Sequence, residues 1–146
     1  KTNQLNLSTR RLSEREILEW FDNDNRVVKA ISVTDRFGDL GLVGIIGIEA
    51  DEADGTDVRE GRLIDFILSC RVMGRGVEDT LLHIAISELR KLKVSLMRVQ
   101  FIPTERNRPT LEVLQKSRLQ EAGEYQFSVD VDGGYDKPDT IELIWD

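Results

Sequence analysis

The stretch Leu63–Leu92, LIDFILSCRVMGRGVEDTLLHIAISELRKL, decides how the rest of the chain is read. An apolar run fit for a buried strand passes through a short turn bearing Arg and Gly, then straight into a helix long enough to cross a domain. The first N–H groups of a helix have no intrahelical partner and sum to about half a positive charge, so a Gly-bearing turn there can hold a phosphate. Gly74 and Gly76 put no side chain between backbone and ligand, and Arg71 and Arg75 add cationic reach. Glycines at a tight strand-to-helix turn also serve the turn alone, so spacing leaves both readings open.

The 146 residues are enough for one domain that buries a core without metal or disulfide staples. With 27 acidic against 20 basic residues the net charge is -7, and no basic block appears, which argues against nucleic acid as a partner. Cys70 is the sole cysteine, so neither an internal disulfide nor a cysteine zinc site is expected, and no metal site is assigned. No apolar run is long enough for a membrane span and no signal peptide is visible, which leads to the expectation of a cytoplasmic protein. The chain opens on Lys1 with usable strand sequence, so a single domain over residues 1–146, excised from a longer protein, is expected.

Outward from the central stretch, Asn3–Leu7 reads as a first, edge-type strand. Ser13 with Glu16 fits a capping box, and Ile17, Leu18, Trp20 and Phe21 give a helix over 14–22 an apolar side. Val27–Thr34 and Leu40–Ile48 read as strands joined by the hairpin loop Asp35–Asp39. Gly41, Gly44 and Gly47 recur within the second of them, marking either a ligand or tight packing against a helix. In the long helix Val77, Leu81, Leu82, Ala85, Leu89 and Leu92 share one face, and Asp79, His83, Ser87 and Arg90 another, so His83 is expected to be solvated. Ser95–Ile102 alternates as a strand. Pro109–Leu119 is a helix with Pro109 in its first turn, and Glu124–Val131 and Thr140–Trp145 are two closing strands. Strands mixed with crossover helices in this order predict an α/β (α+β) fold: a mixed central sheet of about seven strands with helices on both faces.

The order of elements resembles the GNAT acyltransferase superfamily, in which a central strand leads into a pyrophosphate-binding loop of pattern Arg or Gln, two residues, Gly, one residue, Gly or Ala, then a long helix. Arg71, Gly74 and Gly76 satisfy the pattern literally. Alignment on the helix spacing, the preferred register, places Met73 at the Arg position, Gly76 at the first Gly and Glu78 at the second. The family carries an Asn and, seven residues on, a Tyr that protonates the leaving thiolate; counting from Asn107 reaches Leu114, so that acid is missing.

A narrower resemblance rests on KTNQLNL at the start, DRFGDLGLVG at 35–44, LSCRVMGRGVE at 68–78 and PTERNRP at 103–109. These are similar to the C-terminal GNAT-like domain of FkbH-like proteins. The resemblance implies an upstream HAD-type phosphatase domain in the same chain, acyl-CoA or phosphopantetheine as cofactor, and an acyl carrier protein or small-molecule acceptor as partner. It implies acyl or glyceryl transfer in polyketide or polysaccharide biosynthesis, or, as the alternative, a non-catalytic carrier-protein docking module. On the transferase reading the splayed end of the strand Ile64–Leu68 offers backbone groups to the pantetheine amides. Leu68, Arg71, Val72, Met73, Gly74, Arg75, Gly76 and Val77 then hold the arm and its phosphate, together with Asn107 or with Asn107 as helix cap. Cys70, just ahead of a helix N-terminus and beside Arg71, is the candidate nucleophile; the other reading is a small buried hydrophobe at the strand end. Glu78 and Asp79 compete for the same positive potential, each opposing a phosphate by about 1 kcal/mol at a few ångströms in water-like dielectric.

Overall fold

A computed structural model of the chain describes residues 5–8, 10, 12–55 and 58–145. The central stretch folds as read: strand β4 (Glu60–Leu68), a single 3-10 turn (Cys70–Val72), then helix α2 (Val77–Lys91). Ahead of it lie strand β1 (Leu5–Asn6), helix α1 (Glu14–Phe21), and strands β2 (Arg26–Asp35) and β3 (Gly38–Ala50). Beyond it come strand β5 (Leu96–Gln100), helix α3 (Arg108–Lys116), and strands β6 (Gln120–Glu121) and β7 (Gln126–Asp130). Seven strands form one mixed sheet in the order β2-β3-β4-β5-β7-β6, with β1 added on β4. Among the described residues only β4 and β5 run parallel, because α2 is the crossover between them.

One face of the sheet is sealed by α2. Ile46, Ile48, Leu63, Phe66 and Leu68 meet Leu81, Leu82, Ala85 and Leu89 in a core whose members are essentially free of solvent. Gly44 lies under Leu81, and a Cβ on Gly61 would sit 2.7 Å from a Leu89 methyl carbon, so these glycines let the helix approach the strands. On the other face α1, started by the expected Ser13–Glu16 capping box, seats Trp20 between the guanidinium groups of Arg10 and Arg26, at 4.7 and 4.5 Å from the ring. Arg10 is held by Asp65 of β4 and Arg26 by Glu49 of β3, which ties the helix to the sheet.

Three expectations need correction. The first strand is not an edge: its described part, β1, pairs with Leu68 and Ile67 inside the sheet, while Asn3 and Gln4 lie outside the described residues. Thr140–Trp145 is not a strand. The edge beside β7 belongs to the unforeseen β6, and the closing segment lies over α2 instead, with Pro138 and Ile141 at its N-terminus and Trp145 beside Lys91. His83 does not face open solvent: it is half-buried and its Nδ1 lies 2.5 Å from the Tyr135 carbonyl oxygen.

Candidate functional site

β4 and β5 pair only as far as Leu63 and Val99. Beyond that point β4 runs on to Leu68 while the chain after β5 bends away, leaving the fork in which the resemblance implies a thiol arm. In this structure the protein's own N-terminal strand fills that fork. Leu5 pairs with Leu68 and Asn6 with Ile67. The Leu7 N–H donates to the Phe66 carbonyl at 3.1 Å, and the Leu7 carbonyl accepts from the Ile102 N–H at 3.2 Å, so one residue bridges both sides. Leu5 and Leu7 are each 1% exposed and belong to the core.

Asn107 locks this arrangement. It stands at the N-cap position of α3 without making a side-chain cap bond. Its Nδ2 donates to the Asn6 carbonyl at 3.1 Å and to the Ile102 carbonyl at 2.8 Å, while its Oδ1 accepts from the Thr104 N–H at 2.7 Å. At 1% exposure its amide is bonded on both ends, so it is spent on holding β1.

The turn expected to cradle phosphate is likewise engaged from within. Gly74 and Gly76 both adopt left-handed backbone, φ +75° and +82°, and Gly76 is the N-cap of α2. The Gly74 N–H donates to the Glu78 carboxylate at 2.5 Å, and Glu78 is buried. A Cβ on Gly76 would lie 2.9 Å from Pro138 Cγ. Asp79, next in the helix, accepts from the Tyr135 hydroxyl. Burial of that phenol, reinforced by the hydrogen bond to the carboxylate, pushes its pKa up to about 12. The helix N-terminus is therefore compensated by two of the chain's own carboxylates.

The remaining candidates surround this turn. Val72 and Val77 are buried as packing residues, Met73 is half-buried against the core, and the Leu68 side chain is fully enclosed. Cys70 is exposed, which corrects the reading of it as a small buried hydrophobe. The Arg71 side chain is exposed and bonds back to Ser69 Oγ at 3.2 Å. Arg75 reaches Asp35 of the β2–β3 hairpin at 2.6 Å. That guanidinium, aided by the Phe37 N–H, holds the Asp35 carboxyl below the usual range.

The four segments singled out in the sequence thus meet two by two. KTNQLNL and PTERNRP join through Asn6 and Asn107, and DRFGDLGLVG joins LSCRVMGRGVE through Asp35 and Arg75 and through the Ser69 N–H to the Val43 carbonyl at 2.7 Å. Leu114, standing where the resembled superfamily carries its Tyr acid, is fully buried. A pantetheine arm and its phosphate do not fit this arrangement, because β1 takes the strand position and Glu78 takes the Gly74 amide. The sequence signal that pointed to β1 was the pair Leu5 and Leu7 flanking a polar Asn6; nothing local told which strand it would join.

No protein-family model matches the chain, and no curated protein matches it. Solved structures do share its architecture. An IAA acetyltransferase from Bacillus cereus is 12% identical with a TM-score of 0.55, covering 81% of this chain and 85% of that one. An aminoglycoside 6'-N-acetyltransferase from Enterococcus faecium is 15% identical with a TM-score of 0.53, covering 86% and 83%. A spermidine N-acetyltransferase from Vibrio cholerae is 14% identical with a TM-score of 0.53, covering 82% and 75%. The chain therefore has the fold of the GNAT acetyltransferases, as its order of elements led one to expect.

Proposed function

We propose that the chain is a carrier-protein docking module of an FkbH-like protein, built on the scaffold of an acyl-transfer enzyme whose donor groove is closed. In this reading it serves acyl or glyceryl transfer in polyketide or polysaccharide biosynthesis, in the cytoplasm. It does so by holding an acyl carrier protein beside an upstream HAD-type phosphatase domain of the same polypeptide. The observation that carries the reading is β1 in the fork, hydrogen-bonded to β4 on one side and to the chain after β5 on the other. Leu5 and Leu7 each contribute roughly 1.5–3 kcal/mol of burial there, and an entering arm would have to replace that apolar packing as well as the backbone bonds.

Isothermal titration of the intact chain with CoA, acetyl-CoA and a holo acyl carrier protein tests this. Heat with the carrier protein alone is the expected result. Saturable binding of CoA or acetyl-CoA overturns the closed-groove reading, and silence with all three overturns docking.

A second reading, acyl transfer from acyl-CoA or a carrier thioester, is favoured by one observation: the β4–β5 pairing still ends at Leu63 and Val99, with an exposed Cys70 at the far end of β4. On that reading the Cys70 thiolate attacks the thioester carbonyl and the carrier thiolate leaves, so intact-mass spectrometry would show an acyl or glyceryl adduct that is absent in Cys70→Ala.

A further inference from the structure

The sheet has two edges, and they differ. β6 is two residues long and offers little to another strand, whereas β2, at the other end of the order, runs for ten residues. β1 does not cover it, being spent in the fork. The Ala50 N–H donates to the Asn25 carbonyl at 2.7 Å. Alternation along the antiparallel pair then turns the N–H and C=O of Val27, Lys29 and Ile31 toward β3, and those of Val28 and Ala30 outward. Among the described residues no strand meets these outward groups.

Natural edges are commonly blunted by a lysine or a proline. β2 holds no proline, and its lysine is engaged: Lys29 Nζ lies 4.0 Å from the buried Glu88 carboxylate and 5.8 Å from the Trp145 ring. Irregular register against β3 is confined to the stretch between Ile31 and Thr34, so Arg26–Ile31 pairs evenly. Ala30, in the middle, is exposed. Phe21 and Phe37, 63% and 81% exposed, bracket the strand at its two ends.

The strand's own sequence favours a second copy of itself as the occupant. Antiparallel pairing of two copies about a two-fold axis opposes residues whose numbers have a constant sum. An axis at Ile31 would set Arg26 opposite Arg36 of the second copy, and an axis at Lys29 would set that lysine opposite itself. An axis at Ala30 opposes no like charges: Val27 faces Val33, Val28 faces Ser32, Lys29 faces Ile31, and beyond the strand Asp24 faces Arg36.

We propose that β2 pairs edge to edge with β2 of a second copy of this chain, antiparallel about a two-fold axis at Ala30, to give a sheet continuous through a dimer. Ala30 exchanges both backbone hydrogen bonds with its own copy. Phe21 of one protomer comes to the same end of the interface as Phe37 of the other, which gives both exposed rings a place at the dimer seam.

Sedimentation velocity of the intact chain, from micromolar to millimolar concentration, tests this, and a reversible monomer–dimer equilibrium is expected. Ala30→Lys sets like charges on the axis, and Ala30→Pro removes an outward N–H that pairing with β3 does not use. Each should weaken association about tenfold or more, and Phe37→Ala should weaken it severalfold. Unchanged circular dichroism would confirm that the variants fold, and Ala30→Lys decides if the proline variant does not. The axis is read with a short bismaleimide on Cys70→Ser proteins carrying Val28→Cys, Ala30→Cys or Ser32→Cys. Crosslinking should peak for Ala30→Cys, because only the axial residue meets its own copy, at about 5.5 Å between Cα atoms. A chain that stays monomeric throughout overturns the proposal, as does a dimer indifferent to Ala30→Lys. Crosslinking that peaks at either of the other two positions overturns the axis.

Discussion

Gly76 combines two constraints that the sequence shows only by half. Its place at the head of α2 was legible, because Gly before a long amphipathic run marks a turn, and the left-handed backbone there agrees. The other constraint, Pro138 and Ile141 pressed on it, comes from residues some sixty positions away and leaves no trace in local spacing. Glu78 is a similar case. It reads as a helix-start acid that complements the dipole, and in the fold it also consumes the Gly74 amide that a phosphate would need. Tyr135 shows how the closing segment is fixed, with its hydroxyl on Asp79 and its carbonyl beside His83. Its folded pKa of about 12 lies above the ordinary 10, so the neutral phenol is favoured in the fold. That contribution is whole below about pH 10 and is lost as pH rises through 12. The stability gap between the wild type and Tyr135→Phe, measured by urea unfolding, should therefore shrink across this window. A gap that stays constant from pH 9 to 12 would contradict the assignment.

At the scale of elements, period and punctuation located nearly every helix and strand, because amphipathic alternation is a local signal. What they left open was partnership. Leu5–Asn6 reads as an edge strand until Asn107 and Ile102, about a hundred residues on, fix it inside the fork. Thr140–Trp145 has strand-like sequence, yet β6 already occupies the neighbouring edge, and the segment packs Ile141 and Leu143 against the core while Ile144 stays exposed. Asn107 is the point at which the closure can be loosened. Asn107→Ala strips the Asn6 carbonyl, the Ile102 carbonyl and the Thr104 N–H of a buried partner, at a cost of roughly 3 kcal/mol. Denaturant unfolding should register that loss, and Asn107→Asp should not restore it, since a carboxylate cannot donate to the two carbonyls. A loss below about 0.5 kcal/mol would mean that β1 is held some other way.

For the molecule as a whole, the order of elements carried the fold, and GNAT acetyltransferase structures of 12–15% identity share it. Function did not follow from the fold, because a scaffold hosts a site only when its groups are free to meet a ligand. Here three residues at the start of the described chain determine whether the fork is a donor groove or a filled sheet, and no count of helices and strands distinguishes the two. The absent acid at Leu114 was legible through the resemblance, by counting seven residues from Asn107; the strand in the groove was not. Amide hydrogen exchange at Leu7, followed by nuclear magnetic resonance with and without millimolar acetyl-CoA, probes that strand directly. Closure by β1 requires the Leu7 amide, bonded to Phe66, to exchange as slowly as the core amides of α2 and to be indifferent to acetyl-CoA. Fast exchange at Leu7, or its deprotection when acetyl-CoA is added, would show that the fork opens to a thiol arm and that the chain is built to bind one.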